Sequence, residues 1–157
     1  MNYNIAKKFA TNLFKKKLKG MERDFILKHC KEIERISLRL AKHKKADKKI
    51  LKIASWLHDI GRTVSVKGHA KISVELAEKQ FGKLDNRLKD SILNHGDDNN
   101  PETNEGKIIQ FADKASILDY KTLEFVFTKS KNTAKNLEMY QYVTCDFLKV
   151  LKKYRWN

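Results

Sequence analysis

The chain has one proline, Pro101, and only two cysteines, Cys30 and Cys145, with neither metal-ligand nor dithiol redox spacing. Both thiols fit a reducing cytoplasm, as ordinary core residues. No run of eighteen apolar residues occurs, so a membrane-spanning helix is not expected. The N-terminus lacks an apolar stretch followed by a small-residue cleavage site, which argues against a secretory signal. Nowhere do β-branched residues alternate with polar ones over a useful length, and this argues against a sheet. No repeat or low-complexity linker divides the 157 residues, a length that suits one domain with one core.

What the sequence has in quantity is lysine. The net charge is +15, and only six of the 34 basic residues are arginine, the better bidentate reader of phosphate. The lysines are spread along nearly every helical segment, where they also serve as a solvated face. The charge therefore favours a small anionic substrate and supports nucleic-acid binding only weakly.

Helical periodicity runs through the chain. Ile5, Phe9, Leu13 and Leu18 place a first, lysine-rich helix over residues 1–20. Its sharper roles would be membrane-surface or RNA contact, and its plain role a packing helix with a solvated lysine face. Ile26, His29, Ile33, Ile36 and Leu40 follow one helix stripe. Asp47 can cap a third helix carrying Ile50, Leu51, Ala54 and Leu57. A fourth starts near His69 and includes Ile72 and Leu76. Leu84, Leu88, Ile92 and His95 mark a fifth, closed by Gly96. Residues 96–104 read as a loop. Ile108, Ile109, Ala112, Asp113 and Ala115 form a sixth, with an apolar run near 123–127 continuing or following it. A last stripe of Leu137, Tyr140, Thr144, Phe147, Leu151 and Tyr154 predicts a C-terminal helix over about 132–154. The fold class is all-α, a helical bundle.

Chemistry concentrates in four histidines and two aspartates. His29 shares the inward stripe of its helix, and alone it would pass for a core histidine. His58 sits at a helix C-terminus, where the dipole favours an imidazolium. His69 could simply begin a helix, and His95 could simply end one. Asp113, set among Phe111, Ala112, Ala115 and Leu118, needs a partner or a cation if buried. Adjacent residues such as His58 and Asp59 point about 100° apart on a helix, so a shared ion at its end is one of few objects both can reach. Neutral imidazoles and carboxylates suit Zn, Fe, Mn and Co ions, and different helices can bring them to one interior point. His43, inside Lys42-His-Lys-Lys45, has no apolar neighbours and belongs on the surface.

In this order, His29, His58-Asp59, His69, His95 and Asp113 resemble the HD-domain superfamily of metal-dependent phosphohydrolases. The resemblance covers about residues 25–120. Its most specific parts are Trp56-Leu-His-Asp-Ile-Gly-Arg62 and Gln110-Phe-Ala-Asp-Lys-Ala115. Gly68-His-Ala-Lys-Ile-Ser73 and Ile92-Leu-Asn-His95 resemble the extra histidine segments of the two-metal branch. The likeness implies an all-α fold and a minimal ligand set of His29, His58, Asp59 and Asp113. It implies a second ion on His69 and His95, with Asp59 bridging. No Gly-Tyr-Pro signature of the cyclic dinucleotide phosphodiesterases is present. The short spacing from His58-Asp59 to His69 resembles small bacterial hydrolases of dinucleoside tetraphosphates, from which the chain departs at Gly96-Asp-Asp98.

The implied activity is hydrolysis of a phosphoester or phosphoanhydride, in a nucleotide or another small phosphorylated molecule, by metal-activated water. Paired divalent ions lower the pKa of bound water toward about 7 and clamp both oxygens of an in-line displacement. Asp59 and Arg62 would carry the catalysis. Arg62, Lys67 and Lys114 are candidates to hold substrate phosphate. Two other readings are a diiron oxygenase built on the same ligand set and a non-catalytic, metal-stabilised module that binds nucleotide or RNA.

Overall fold

A computed structural model of the protein describes residues 1–96, 98–129 and 132–154. The described residues form helices α1 (Tyr3–Lys17), α2 (Gly20–Lys44), α3 (Lys48–Leu57), α4 (His69–Phe81), α5 (Asn86–Leu93), α6 (Asn104–Ile117), α7 (Tyr120–Lys129) and α8 (Thr133–Tyr154), with one 3-10 turn at Ile60–Thr63. Among the described residues no β-strand is present and no helix is long and apolar enough to cross a membrane. The all-α expectation holds.

The short α3 is the axis of the structure. Ile50, Leu51 and all of Ile53 through Leu57 are buried, because α1, α2, α5 and α6 pack around it. Asp47 caps it as expected, its carboxylate accepting the Lys49 and Ile50 N–H groups at 2.8 and 3.2 Å. Helix α6 lies against α2 and α5, α7 against α2, and α8 along α6. Glu34 ties three helices together. Its carboxylate accepts the Tyr3 hydroxyl at 2.9 Å and the Trp56 indole N–H at 2.7 Å. Cys30 is buried as expected, and burial together with Asp59 and Asp113 pushes its thiol well above the usual range. Cys145, by contrast, is exposed.

Three details of the periodicity reading are corrected. In α1 the buried line is Ala6, Ala10 and Phe14, while Ile5 is 60% exposed. The two alanines face α3, Phe9 and Leu13 pack at the edge of that contact and Leu18 is buried, so of the expected stripe only Ile5 falls outside. In α8 the buried residues include Asn136, Tyr140, Val143, Asp146 and Val150, and Leu137 is 53% exposed. Polar Asn136 and Asp146 on the inward face hid that face from a hydrophobicity pattern. Lastly, α5 stops at Leu93, two residues before His95, with Asn94 as its cap. The apolar run near 123–127 is a separate helix, α7, rather than a continuation of α6.

Candidate metal centre

The six predicted residues arrive from five places. His29 comes from the middle of α2 and Asp113 from α6. His58 caps the C-terminus of α3, and Asp59 follows at φ −110°, ψ 7°, where the helix gives way to the 3-10 turn. That break brings two sequence neighbours to one side. His69 is the first residue of α4, and His95 lies just beyond α5.

Gly61 makes the junction possible. A Cβ at this position would lie 2.1 Å from the His69 carbonyl oxygen and 2.8 Å from the Ser73 nitrogen. The motif glycine is therefore a contact point, where the turn after α3 touches the start of α4. The Gly61 N–H donates to Ser73 Oγ at 2.8 Å and fixes the approach.

Around the centre, His29 Nε2 lies 3.0 Å from Asp113 Oδ1. His58 Nε2 is 3.7 Å from the same oxygen and 3.6 Å from Asp59 Oδ2. On the other side of Asp59, Oδ1 is 3.1 Å from His69 Nε2 and 3.6 Å from His95 Nε2. Two groups have ligand atoms all within 4.8 Å of one another, as a metal site requires: His29, His58 and Asp113, and His58, Asp59 and His95. All of these are buried; His69 is partly exposed at 22% of its side chain.

The second nitrogen of each ring decides which face is offered. His58 Nδ1 faces the Ser55 carbonyl at 3.2 Å, His69 Nδ1 that of Val66 at 2.8 Å, and His95 Nδ1 that of Ile92 at 2.7 Å. Each acceptor lies three residues earlier. A carbonyl cannot donate, so Nδ1 carries the proton and Nε2 presents a lone pair. His29 obeys the same logic through a hydroxyl. Ser116 Oγ donates to the Asp113 carbonyl at 2.7 Å, so at 2.9 Å it can only accept from His29 Nδ1.

Four lone pairs thus point into a space bounded by two carboxylates. His58 Nε2 is buried without any hydrogen-bond partner, and such an atom is costly unless a cation takes its lone pair. The donor set of neutral imidazoles and carboxylates fits a divalent transition metal.

Electrostatics agree at His58 and at the two carboxylates. At His95, burial is outweighed by the Asp59 hydrogen bond and the Asp113 charge, which raise that ring and favour a positive charge beside it. Burial drives the His58 ring down to about 3, keeping it neutral. Burial also raises Asp59 and Asp113. Positive charge around them, from His58, His69, His95 and Arg62 at Asp59 and from Lys114 and His29 at Asp113, holds both carboxyls well below the usual range. With the rings neutral, a cation in the cage supplies that charge beside Arg62 and Lys114.

Beside the centre opens a cavity of about 250 Å³, whose lining includes His29, Asp59, Arg62, Asp113, Lys114 and Asp146. Arg62 Nε pairs with Asp59 Oδ2 at 2.8 Å, and Lys114 Nζ with Asp113 Oδ2 at 3.0 Å. Lys67 is exposed on the turn before α4 and is absent from this lining, so the structure does not bring it to the site. His43 is exposed on α2, as expected.

Three supporting residues escaped the sequence reading. Ser116 orients His29. Gln110 donates from Nε2 to the carbonyls of Asn94, Gly96 and Asn99, holding the loop that carries His95. Phe25 stacks on His29, with ring centroids 5.8 Å apart and planes 11° apart. A signal for two of them was available: Gln110, Asp113 and Ser116 recur every three residues in α6, so they share one face of it, and all three are buried. Of the loop at Gly96-Asp-Asp98, Asp97 lies outside the described residues.

Over 94 residues the chain is 38% identical to Ribonuclease Y of Desulforudis audaxviator (strain MP104C). That stretch is 58% of this chain but 18% of the relative, so the chain spans under one fifth of that protein's length. No solved structure matches the chain. The model of the HD domain matches residues 26–118, more than half of the sequence and inclusive of all six converging residues. The chain belongs to the HD domain family.

Proposed function

We propose that this protein is a metal-dependent phosphohydrolase that cleaves a phosphoester or phosphoanhydride bond in a nucleotide or similar small phosphorylated substrate. The observation that carries the reading is the set of four Nε2 lone pairs and two ionised carboxylates meeting in a buried cage, beside a cavity with two cations. His29, His58, Asp113 and Asp59 would hold one ion, and Asp59, His69 and His95 a second. Divalent ions there would supply activated water near neutral pH and neutralise charge on phosphoryl oxygens.

The chain's own residues do the rest. The Nδ1–H bonds fix each ring in the tautomer that leaves Nε2 free, and loss of such an outer contact weakens metal binding by about 10- to 100-fold. Arg62 holds Asp59 by its Nε and lies in the cavity wall, placed to meet a non-bridging phosphate oxygen. Lys114 plays the matching part at Asp113. Phe25, stacked on His29, screens that ring from water.

The test is metal analysis of the purified chain, followed by phosphate or nucleotide release from a nucleotide panel with Mn²⁺, Fe²⁺ or Co²⁺. Full activity in both His58→Ala and Asp59→Ala would sink the reading. A second reading, cleavage of RNA phosphodiesters, is favoured by the 38% identity to Ribonuclease Y. Including an oligoribonucleotide in the panel separates the two.

A further inference from the structure

Asp146 is a buried carboxylate at this cavity that the metal cage does not use. It belongs to α8, beyond residues 26–118 of the family match. Only 2% of it is exposed, yet it lines the same cavity as Asp59, Arg62 and Lys114. Its Oδ1 accepts from Lys149 Nζ at 3.1 Å, a side chain one turn along the helix and 61% exposed. Among the described residues no hydrogen bond or ion pair reaches Oδ2. That oxygen is not sealed in the packed interior, and Asp146 lines the cavity, so a donor on a bound molecule can reach it.

The chemistry of that donor is narrowed by what surrounds it. A phosphate would be repelled by the carboxylate. A neutral hydroxyl would not. The cavity, about 250 Å³, is smaller than the roughly 300–1,000 Å³ that encloses a drug-sized ligand. With a phosphoryl group held at Arg62 and Lys114, the space left suits the unit bonded directly to it. In a nucleotide that unit is the ribose, and a carboxylate accepting a ribose hydroxyl is a known solution in dinucleotide-binding folds. Phe25, Ile117, Met139 and Val143 add apolar wall against which a sugar or base edge can lie.

We propose that Asp146 determines specificity by accepting a ribose hydroxyl of the substrate, which makes α8 the helix that selects ribonucleotides. The proposal rests on the nucleotide phosphohydrolase reading.

It is tested on the metal-loaded full chain with ribonucleoside, 2′-deoxy and 2′,3′-dideoxy 5′-monophosphates, measuring both kcat/KM and equilibrium binding. Wild type should prefer the ribonucleotides by about 10- to 100-fold, the range for a hydrogen bond to a charged group. Asp146→Ala should erase the preference through loss on the ribonucleotide side alone. Asp146→Asn preserves volume and should erase part of it, which keeps the test valid if the alanine variant misfolds. Lys149→Ala should leave the preference intact. Equal handling of the three sugars by wild type, or a parallel loss on all three in Asp146→Ala, overturns the proposal and leaves the hydrolase reading standing. Sugar-selective binding without turnover that disappears in Asp146→Ala supports the proposal and overturns the hydrolase reading. Neither binding nor turnover of any of the three overturns the proposal and leaves the hydrolase reading to the wider panel.

Discussion

His69 Nε2 and His95 Nε2 face one another at 2.9 Å. Each ring donates its Nδ1–H to a backbone carbonyl, so both facing atoms carry lone pairs. Two lone pairs this close are held together by a proton or a cation between them.

The first prediction follows from that pair. Chelator-treated protein should gain thermal stability when Mn²⁺, Co²⁺ or Zn²⁺ is returned. A ligand at 100 times its Kd adds about 2.7 kcal/mol to the native state. For a chain of this length that is a rise of roughly 5–10 °C in Tm. His95→Ala should reduce the rise, and differential scanning calorimetry with and without metal reads it. An identical rise in the variant would show that the ion binds elsewhere.

Ser116 offers a finer test, because it touches a predicted ligand without being one. Its hydroxyl bridges His29 Nδ1 and the Asp113 carbonyl. Ser116→Ala should weaken metal binding by about 10- to 100-fold, as removal of outer-shell partners does. Competition against a metal-binding dye measures the affinity, while the circular dichroism spectrum of the metal-free variant should match wild type. Unchanged affinity would remove Ser116 from the centre.

Gly61→Ala tests the contact between the turn after α3 and the start of α4. The added methyl would meet the His69 carbonyl oxygen at 2.1 Å, a backbone atom with no rotamer to escape into. Overpacking of this kind costs about 1–3 kcal/mol, and here it must also displace His69. Urea denaturation of the metal-free variant should show that loss, and metal titration a weaker second binding step.

A pH dependence is expected away from the centre, at Asp90. Burial raises this carboxyl, but hydrogen bonds from Thr103, Asn94 and Glu102 outweigh it and lower its pKa. The Thr103 N–H and Oγ1–H both reach Oδ2, at 2.9 and 2.5 Å. Because the folded pKa is depressed, the stabilisation is complete above the unfolded value near 3.8 and is lost as the pH falls through the folded one. Urea midpoints of metal-free protein, followed down through pH 4, should fall more steeply for wild type than for Asp90→Asn. Parallel acid limbs would contradict this.

Much of the architecture could be read from residue spacing. The stripes Ile26–Ile33 and Ile108–Ala112 mark buried faces of α2 and α6, and Asp47 caps α3 as its side chain predicts. The errors fall where packing partners choose between neighbouring faces. Ala6 and Ala10 face α3, and Ile5 falls outside that contact. Asn136 and Asp146 are buried against expectation, since a pattern of hydrophobicity cannot register a polar residue turned inward for a purpose.

The sequence by itself determined the helical class and the chemical types at the centre, because helix period and donor atoms are local properties of residues. It placed His29, His58, Asp59, His69, His95 and Asp113 among the candidates through motif and side-chain chemistry. Only the tertiary structure decided that they share one point, because five segments separated by up to 84 residues meet there through helix packing. It also decided what residue identity cannot encode: which nitrogen of each ring faces inward, why residue 61 has no room for a Cβ, and that Lys67 stays outside while Asp146 enters the cavity. Those are consequences of distance between groups far apart in the chain, and distance exists only once the helices are packed.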